Sequence, residues 1–297
     1  MKSYLKSIIN KLPHVRGLYQ KNLKYNSVSC FEPGHFYSPL VSKEDIKDNL
    51  WDELPETHPV DMNLQEQKSV IKEISRFYDE IPYLRDNSLR YTFENGSYSY
   101  TDGITLFGMI RNIKPKRIIE VGSGYTSALM LDVNEVYFDN SIDLTFIEPY
   151  PTLLNKVINE KDKSHCTIII KKIQDVELNF FKGLESGDIL FIDSSHVVKT
   201  GSDLHYILTR ILPILNEGVL IHFHDIFFPF EYPKQWVEEG RNWNENYFIN
   251  SFLMYNNEFK VILFSHYLHE KHSELFQDMP LSKKNTGGNL WIRKIFK

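Results

Sequence analysis

The apolar and polar positions of this 297-residue chain fall into two textures that change near residue 96. Residues 1–60 are irregular and punctuated by Pro13, Pro33, Pro39, Pro55 and Pro59, the first part of an extension over residues 1–95. Two helical patterns stand out within that extension. Tyr4, Leu5, Ile8, Ile9 and Leu12 share one face of a helical wheel, with Lys2, Lys6 and Lys11 around it. Leu64, Val70, Ile71, Ile74, Phe77, Tyr78 and Ile81 recur at three- and four-residue steps before Pro82, which predicts a helix over 64–81. Beyond the Asn95-Gly96 turn signal, short β-branched runs alternate with helical patterns. The strands expected are Arg117–Val121, Leu144–Glu148, Thr167–Lys172, Asp188–Asp193, Gly218–Asp225, Lys260–Ser265 and Asn289–Ile295.

Strands of this kind, separated by helices, are buried on both faces and joined by right-handed crossovers. The last two have no helical pattern of ordinary length between them, which suits a hairpin-like antiparallel return. The reading is an α/β fold: a Rossmann-like, doubly wound, mostly parallel seven-stranded sheet with an antiparallel last strand. An N-terminal helical and loop extension over 1–95 precedes a domain over 96–297. In such sheets the ligand lies beyond the carboxyl ends of the strands, at the point where strand order reverses.

Composition narrows the classes. With 34 basic and 39 acidic residues the net charge is −5, so no broad electrostatic footprint for nucleic acid is expected. Two cysteines, Cys30 and Cys166, build neither a disulfide framework nor a Cys-x-x-Cys metal site, and a reduced, cytoplasmic setting follows. No stretch is apolar enough to span a bilayer. The basic amphipathic N-terminus suits weak contact with an anionic membrane surface, or docking on its own protein or a second copy in a homo-oligomer; the protein contact is expected.

Chemistry gathers at the predicted strand ends. The first strand runs into Glu120-Val121-Gly122-Ser123-Gly124-Tyr125-Thr126-Ser127, where glycines permit a sharp turn and close approach of a ligand. A dinucleotide fingerprint wants Gly where this chain has Ser127. Glu148, ending the second strand, suits both hydroxyls of a ribose. Gln174-Asp175 follows the third, near where an adenine amino group would lie. Asp193-Ser194-Ser195-His196 and His222-Phe223-His224-Asp225 break the apolar rule at the fourth and fifth strand ends. His222 lies deeper and reads as structural. The segment Tyr98–Asp102 is expected to approach the cofactor through Tyr100. The loop Phe227–Trp236, with five aromatics and two prolines, is expected to line an acceptor pocket.

Taken together, EVGSGYTS, FIEP, QD, DILFIDSSH and GVLIHFHDIF resemble the motifs of class I S-adenosylmethionine (SAM)-dependent methyltransferases, in particular the bacterial small-molecule and sugar O-methyltransferases. The resemblance covers roughly residues 95–297. It implies SAM as cofactor, held by Glu120, Gly122, Ser123, Gly124, Glu148, Asp175, Asp193 and Tyr100, and a small-molecule or sugar acceptor. It also implies a divalent ion, Mg²⁺ or another, at Asp193, His224 and Asp225. Here His224-Asp225 stands where relatives carry Asp-Asn, and histidine tilts the preference toward a softer ion. The Asn/Asp-Pro-Pro-Tyr of amino-directed nucleic-acid methyltransferases is absent after the fourth strand.

The expected reaction is in-line transfer of the sulfonium methyl to a hydroxyl, with His196 or His224 as general base and Asp193 beside them. An unperturbed imidazole pKa of about 6.5 suits that task. Two alternatives stay open at this point: an NAD-dependent oxidoreductase, and a non-catalytic SAM-binding module on the same fold.

Overall fold

The computed structural model describes residues 12–26, 29–47, 50–52, 58–86 and 88–295. The apolar face of Tyr4, Leu5, Ile8 and Ile9 lies outside the described residues. Contacts divide the chain into two compact units. One comprises Met1–Glu53 with Lys234–Asn242. It holds helix α1 (Pro13–Asn26), which exposes Val15, Leu18 and Leu23, and a short helix over Lys234–Glu238.

The larger unit, Leu54–Pro233 with Trp243–Lys297, holds the sheet. In chain order its principal elements are α2 (Leu64–Ser75), α3 (Tyr100–Ile113), β1 (Arg117–Val121), α4 (Tyr125–Phe138), β2 (Asp143–Ile147), α5 (Leu154–Val157), β3 (Cys166–Ile169), α6 (Leu178–Phe181), β4 (Ile189–Ile192) and α7 (Asp203–Tyr206). They continue with β5 (Leu220–Phe223), α8 (Glu245–Met254), β6 (Phe259–Phe264), α9 (Ser265–Lys271) and β7 (Leu290–Lys294). Seven strands lie in the order β3-β2-β1-β4-β5-β7-β6. β1 to β5 are parallel, and β7 runs antiparallel to both β5 and β6. Strand order reverses between β1 and β4, which puts the ligand crevice beyond their carboxyl ends.

Period-two alternation splits each central strand between two cores. Ile118, Ile189 and Phe191 face one side, where Ile74, Phe107 and Leu131 of α2, α3 and α4 cover them. Ile119, Val121, Leu190 and Ile192 face the other, under Leu204, Ile211, Ile249 and Leu253. Helix α2 thus belongs to the same compact unit as the sheet, although composition alone groups it with the N-terminal extension. Its contact with α3 is tight: a Cβ on Gly108 would sit 2.6 Å from Ile74 Cβ. Its buried Gln67 accepts from Phe264 N at 2.8 Å.

Several elements differ from the sequence expectation. The predicted 64–81 helix stops after Ser75 and resumes as a 3-10 turn over Tyr78–Glu80. The crossover from β4 to β5 is no continuous α-helix: α7 is followed by a π turn over Ile207–Ile211 and a 3-10 turn over Leu212–Ile214, where Pro213 removes a backbone donor. The final strands are not a hairpin. α9 and two 3-10 turns connect them, and β7 inserts between β5 and β6. Short helical segments of this size leave too weak a periodic signal to read.

Candidate active site

The tip of β1 is built by its glycines. Gly122 adopts φ +84°, and a Cβ there would lie 1.8 Å from the carbonyl oxygen of Asp193. Only glycine meets both demands. Gly122 N donates to Ile147 O at 3.1 Å and Asp193 N donates to Val121 O at 2.9 Å, so the tips of β1, β2 and β4 are tied together. Glu148, just past β2, accepts from Ser123 N at 3.1 Å and from Tyr150 N at 2.7 Å. Its carboxylate therefore faces the glycine turn.

Glu120 lies under that turn, fully buried. The hydroxyls of Thr126 and Ser127 both donate to it, and Ser127 Oγ in turn accepts from Gly124 N at 3.0 Å. This explains serine at 127: the side chain links the start of α4 to the buried acid. Burial pushes the Glu120 carboxyl up to about 8, against the hydroxyl donors.

Beyond β4 and β5 two carboxylates stand between two imidazoles. Asp193 Oδ1 lies 3.5 Å from His196 Nε2 and 3.4 Å from His224 Nδ1. Asp225 Oδ2 lies 3.6 Å and 3.7 Å from the same two atoms. A further acid lies behind each imidazole. His196 Nδ1 is 2.9 Å from Glu245 Oε2, a hydrogen bond, whereas His224 Nε2 is 3.8 Å from Asp102 Oδ1, too far for one. Neither ring nitrogen of His224 has a hydrogen-bond partner, although the residue is buried. His196 and Asp225 both hold left-handed backbone, at φ +56° and +58°, a conformation that persists in non-glycine residues only where the surroundings enforce it.

The enforcement at His196 is visible. Asn244 N and Glu245 N donate to the His196 carbonyl at 3.1 and 3.3 Å. The Asn244 side-chain amide accepts from Val198 N at 2.6 Å and donates to Val198 O at 3.1 Å. The Trp243 ring lies over the imidazole, with centroids 4.3 Å apart.

Electrostatics follow from this crowding. Burial alone would raise Asp193, but His224 and His196 overcome it and hold the carboxyl well below its usual range. Asp225 and Glu245 are raised, burial outweighing the histidines beside them. Burial works against a charged His196, yet Asp193 and Glu245 push it up to about 10. His224 is likewise raised against burial by Asp225 and Asp193. His222 is lowered to about 3, chiefly by burial and then by His224; it stacks on Phe191 at 3.8 Å and pairs through Nε2 with Asn289 Oδ1 at 2.6 Å.

Residues 119–226 match the family described as "Methyltransferase domain". An uncharacterized protein of the archaeon Archaeoglobus fulgidus is 30% identical over 176 residues, covering 54% of this chain and 76% of that protein. Residues 119–226 of the chain thus form a methyltransferase domain. Among solved structures it is similar to the SAM-bound O-methyltransferase TomG of Streptomyces achromogenes, at 12% identity, 76% of this chain and 90% of that one, with a TM-score of 0.43. It is also similar to the SAH-bound methyltransferase PaMTH1 of Podospora anserina, at 17% identity, 82% and 100% coverage and a TM-score of 0.44. The assignment rests on the domain match.

In this methyltransferase the remaining expected site residues fall apart from the cluster. Asp175 is exposed on the 3-10 turn after β3. Tyr100 opens α3, but its ring stacks on Phe93 at 5.7 Å, and its hydroxyl donates to Glu94 and accepts from Lys284 Nζ at 2.9 Å. Tyr98, two residues earlier, is the aromatic that reaches the site, with its ring centroid 4.8 Å from that of His224. The aromatics Phe227, Phe228, Phe230 and Tyr232 are all buried, packing against His58, Phe264, His266, Tyr267 and Trp243. The expectation that these side chains wall an open acceptor pocket is therefore corrected: β6 and α9 take up their apolar surface. Asp102, Glu245 and Trp243 are residues that sequence reasoning missed.

The donor set fits a divalent ion. One ligand atom each from Asp193, His196 and Asp225 lies within 4.8 Å of the others. The hydrogen bond that the far nitrogen of His196 donates to Glu245 is the outer contact that ligating histidines ordinarily make. His196 completes this triplet, and His224 Nδ1 borders the same carboxylate oxygens.

Proposed function

We propose that this methyltransferase moves the sulfonium methyl of SAM to a hydroxyl of a small molecule or sugar. The observation that carries the reading is the meeting of two half-sites across one backbone contact. The Gly122–Gly124 turn with Glu148 stands on one side, and Asp193, His196, His224 and Asp225 on the other. In this reading, backbone N–H groups of the turn and the Glu148 carboxylate hold the cofactor's amino-acid and ribose parts. The cluster beyond β4 and β5 receives the acceptor.

The cofactor brings its own leaving group, so the protein's task is alignment and proton removal. A neutral imidazole near pKa 6.5 does not describe the residues present. With His196 pushed up to about 10, the resting imidazole carries its proton among the carboxylates. For either histidine to accept a proton, positive charge must first offset Asp193 and Asp225. Asp193, His196 and Asp225 would hold a divalent ion, which when bound would supply such charge and lower the pKa of a nearby hydroxyl. Asp193 and Asp225 orient the acceptor, and His224, deeper and beside Tyr98, is the base left outside that triplet.

The test is incubation of the full chain with methyl-labelled SAM and a metabolite extract, with and without a chelator. Labelled product bearing a methyl ether supports the reading, and loss of that product on chelation supports the ion. Label appearing on nitrogen or carbon, or no heat on titrating SAM, would overturn it.

A further inference from the structure

The histidine that completes the acid cluster is held from behind by a residue 49 positions away in sequence. Glu245 is buried at 1% exposure on the first turn of α8, its Oε2 at 2.9 Å from His196 Nδ1. Its other oxygen, Oε1, is buried with no hydrogen-bond partner. A buried carboxylate is costly to keep unless something is gained from it. Around it, residues 243–245 grip His196 by three further contacts, two backbone amides on its carbonyl and the Trp243 ring on the imidazole, while the Asn244–Val198 double hydrogen bond ties down the chain two residues on. The backbone bonds fix the left-handed φ of His196 but leave the ring free to turn about χ1 and χ2. Of the contacts from residues 243–245, those of Glu245 and Trp243 act on the ring itself, on the side away from Asp193 and Asp225. Of these, only Glu245 decides which nitrogen points where.

We propose that Glu245 is the positioning residue of this site, holding His196 Nδ1–H so that Nε2 faces the gap between Asp193 and Asp225. The proposal rests on the methyl-transfer reading above for its functional meaning, while its geometry stands alone. If Glu245 were removed, the imidazole could flip and present Nδ1 to the gap or withdraw toward Trp243. His224 has no equivalent, since Asp102 stands 3.8 Å from its Nε2 and is engaged by Gly288 N at 2.8 Å. The two imidazoles beside the same carboxylates are thus unequal, and the held one is His196.

The test uses the full chain labelled with ¹⁵N-histidine, with His196→Asn to assign the resonance. The wild type should show a slowly exchanging Nδ1–H from His196. Glu245→Ala should lose it and lower kcat by about 10–100-fold, as outer-contact substitutions do, with KM and the cofactor Kd nearly unchanged. Glu245→Gln keeps an oxygen that can accept from Nδ1–H, and should restore the resonance and much of kcat. A wild type without the protected Nδ1–H, an alanine variant that retains it, or a glutamine variant no better than alanine would overturn the proposal. If the alanine variant fails to fold, the wild-type resonance and the glutamine variant decide. A protected resonance in a wild type that methylates no hydroxyl would leave the positioning intact and sink the methyl-transfer reading instead.

Discussion

The tips of β1 and β2 and the tips of β4 and β5 solve the same problem, displaying polar groups at the end of a buried sheet, by different means. At β1 and β2 the partners are close in the chain or on adjoining strands: Gly122 against Ile147, Ser123 against Glu148, Ser127 against Glu120. At β4 and β5 they are remote, since Glu245 reaches back to His196 and Gly288 to Asp102. The first half pairs its carboxylates, Glu120 and Glu148, with nearby donors, although Ser123 Oγ stays unpartnered among the described residues. The second leaves His224 with both nitrogens unpartnered and packs Asp102, Asp193, Asp225 and Glu245 around two imidazoles. Unpaired buried polar groups cost stability, and a site that keeps them is organised for something other than folding. In the proposed reading, the difference separates a half that binds the cofactor from a half that reacts.

The comparison breaks most severely where Gly122 meets the Asp193 carbonyl, between the halves. Gly122→Ala forces a Cβ into the Asp193 carbonyl and a side chain into positive φ, and should cost about 2–5 kcal/mol. A thermal melt should show the loss, and calorimetry should show SAM binding abolished. Asp225→Asn should instead leave cofactor affinity intact and cut turnover by about 10²–10⁴-fold, the usual range for disabling acid–base machinery. Equal loss of SAM affinity in that variant would erase the division. Glu148→Gln is its mirror: cofactor Kd should rise about 10–100-fold, the worth of a charged hydrogen bond, with turnover at saturating SAM little changed.

The smallest effect is on pH dependence. With Glu120 at about 8 in the folded chain against 4.5 ordinarily, the folded state keeps a proton between those values that the unfolded chain has released. Its contribution to stability is therefore full below pH 4.5 and lost as pH rises toward 8. Glu120→Gln cannot titrate, so the melting temperature of the cofactor-free variant should fall less steeply across that window. Parallel curves for variant and wild type would show that the acid does not hold its proton.

Much of the sheet was legible because burial on both faces writes itself into the short apolar runs RIIEV and DILFID, and helices between them imply parallel strands with crossovers of fixed hand. The glycine turn, Glu148, Asp193 and Asp225 were legible for the same reason: they sit at fixed offsets from strand ends. Glu245, Trp243 and Asp102 were not. Their approach is set by how α8 and α3 pack, which no local spacing records. Tyr100 was mistaken for Tyr98 because a stretch just before a helix does not announce which side chain turns inward. The aromatic loop misled for a related reason, since aromatic content measures surface to be covered and not the side from which cover comes. The ordinary imidazole pKa failed because it belongs to an isolated ring, and each of these histidines stands among three carboxylates.

The peptide between Asp193 and Ser194 is packed against Gly122 so closely that it serves as a common wall for both half-sites. Anyone wishing to transplant the acceptor preference of another enzyme into this scaffold inherits that constraint. Exchange can begin at Ser195 and run outward, but a donor sequence that shifts the preceding amide plane would dismantle the cofactor seat along with the old preference.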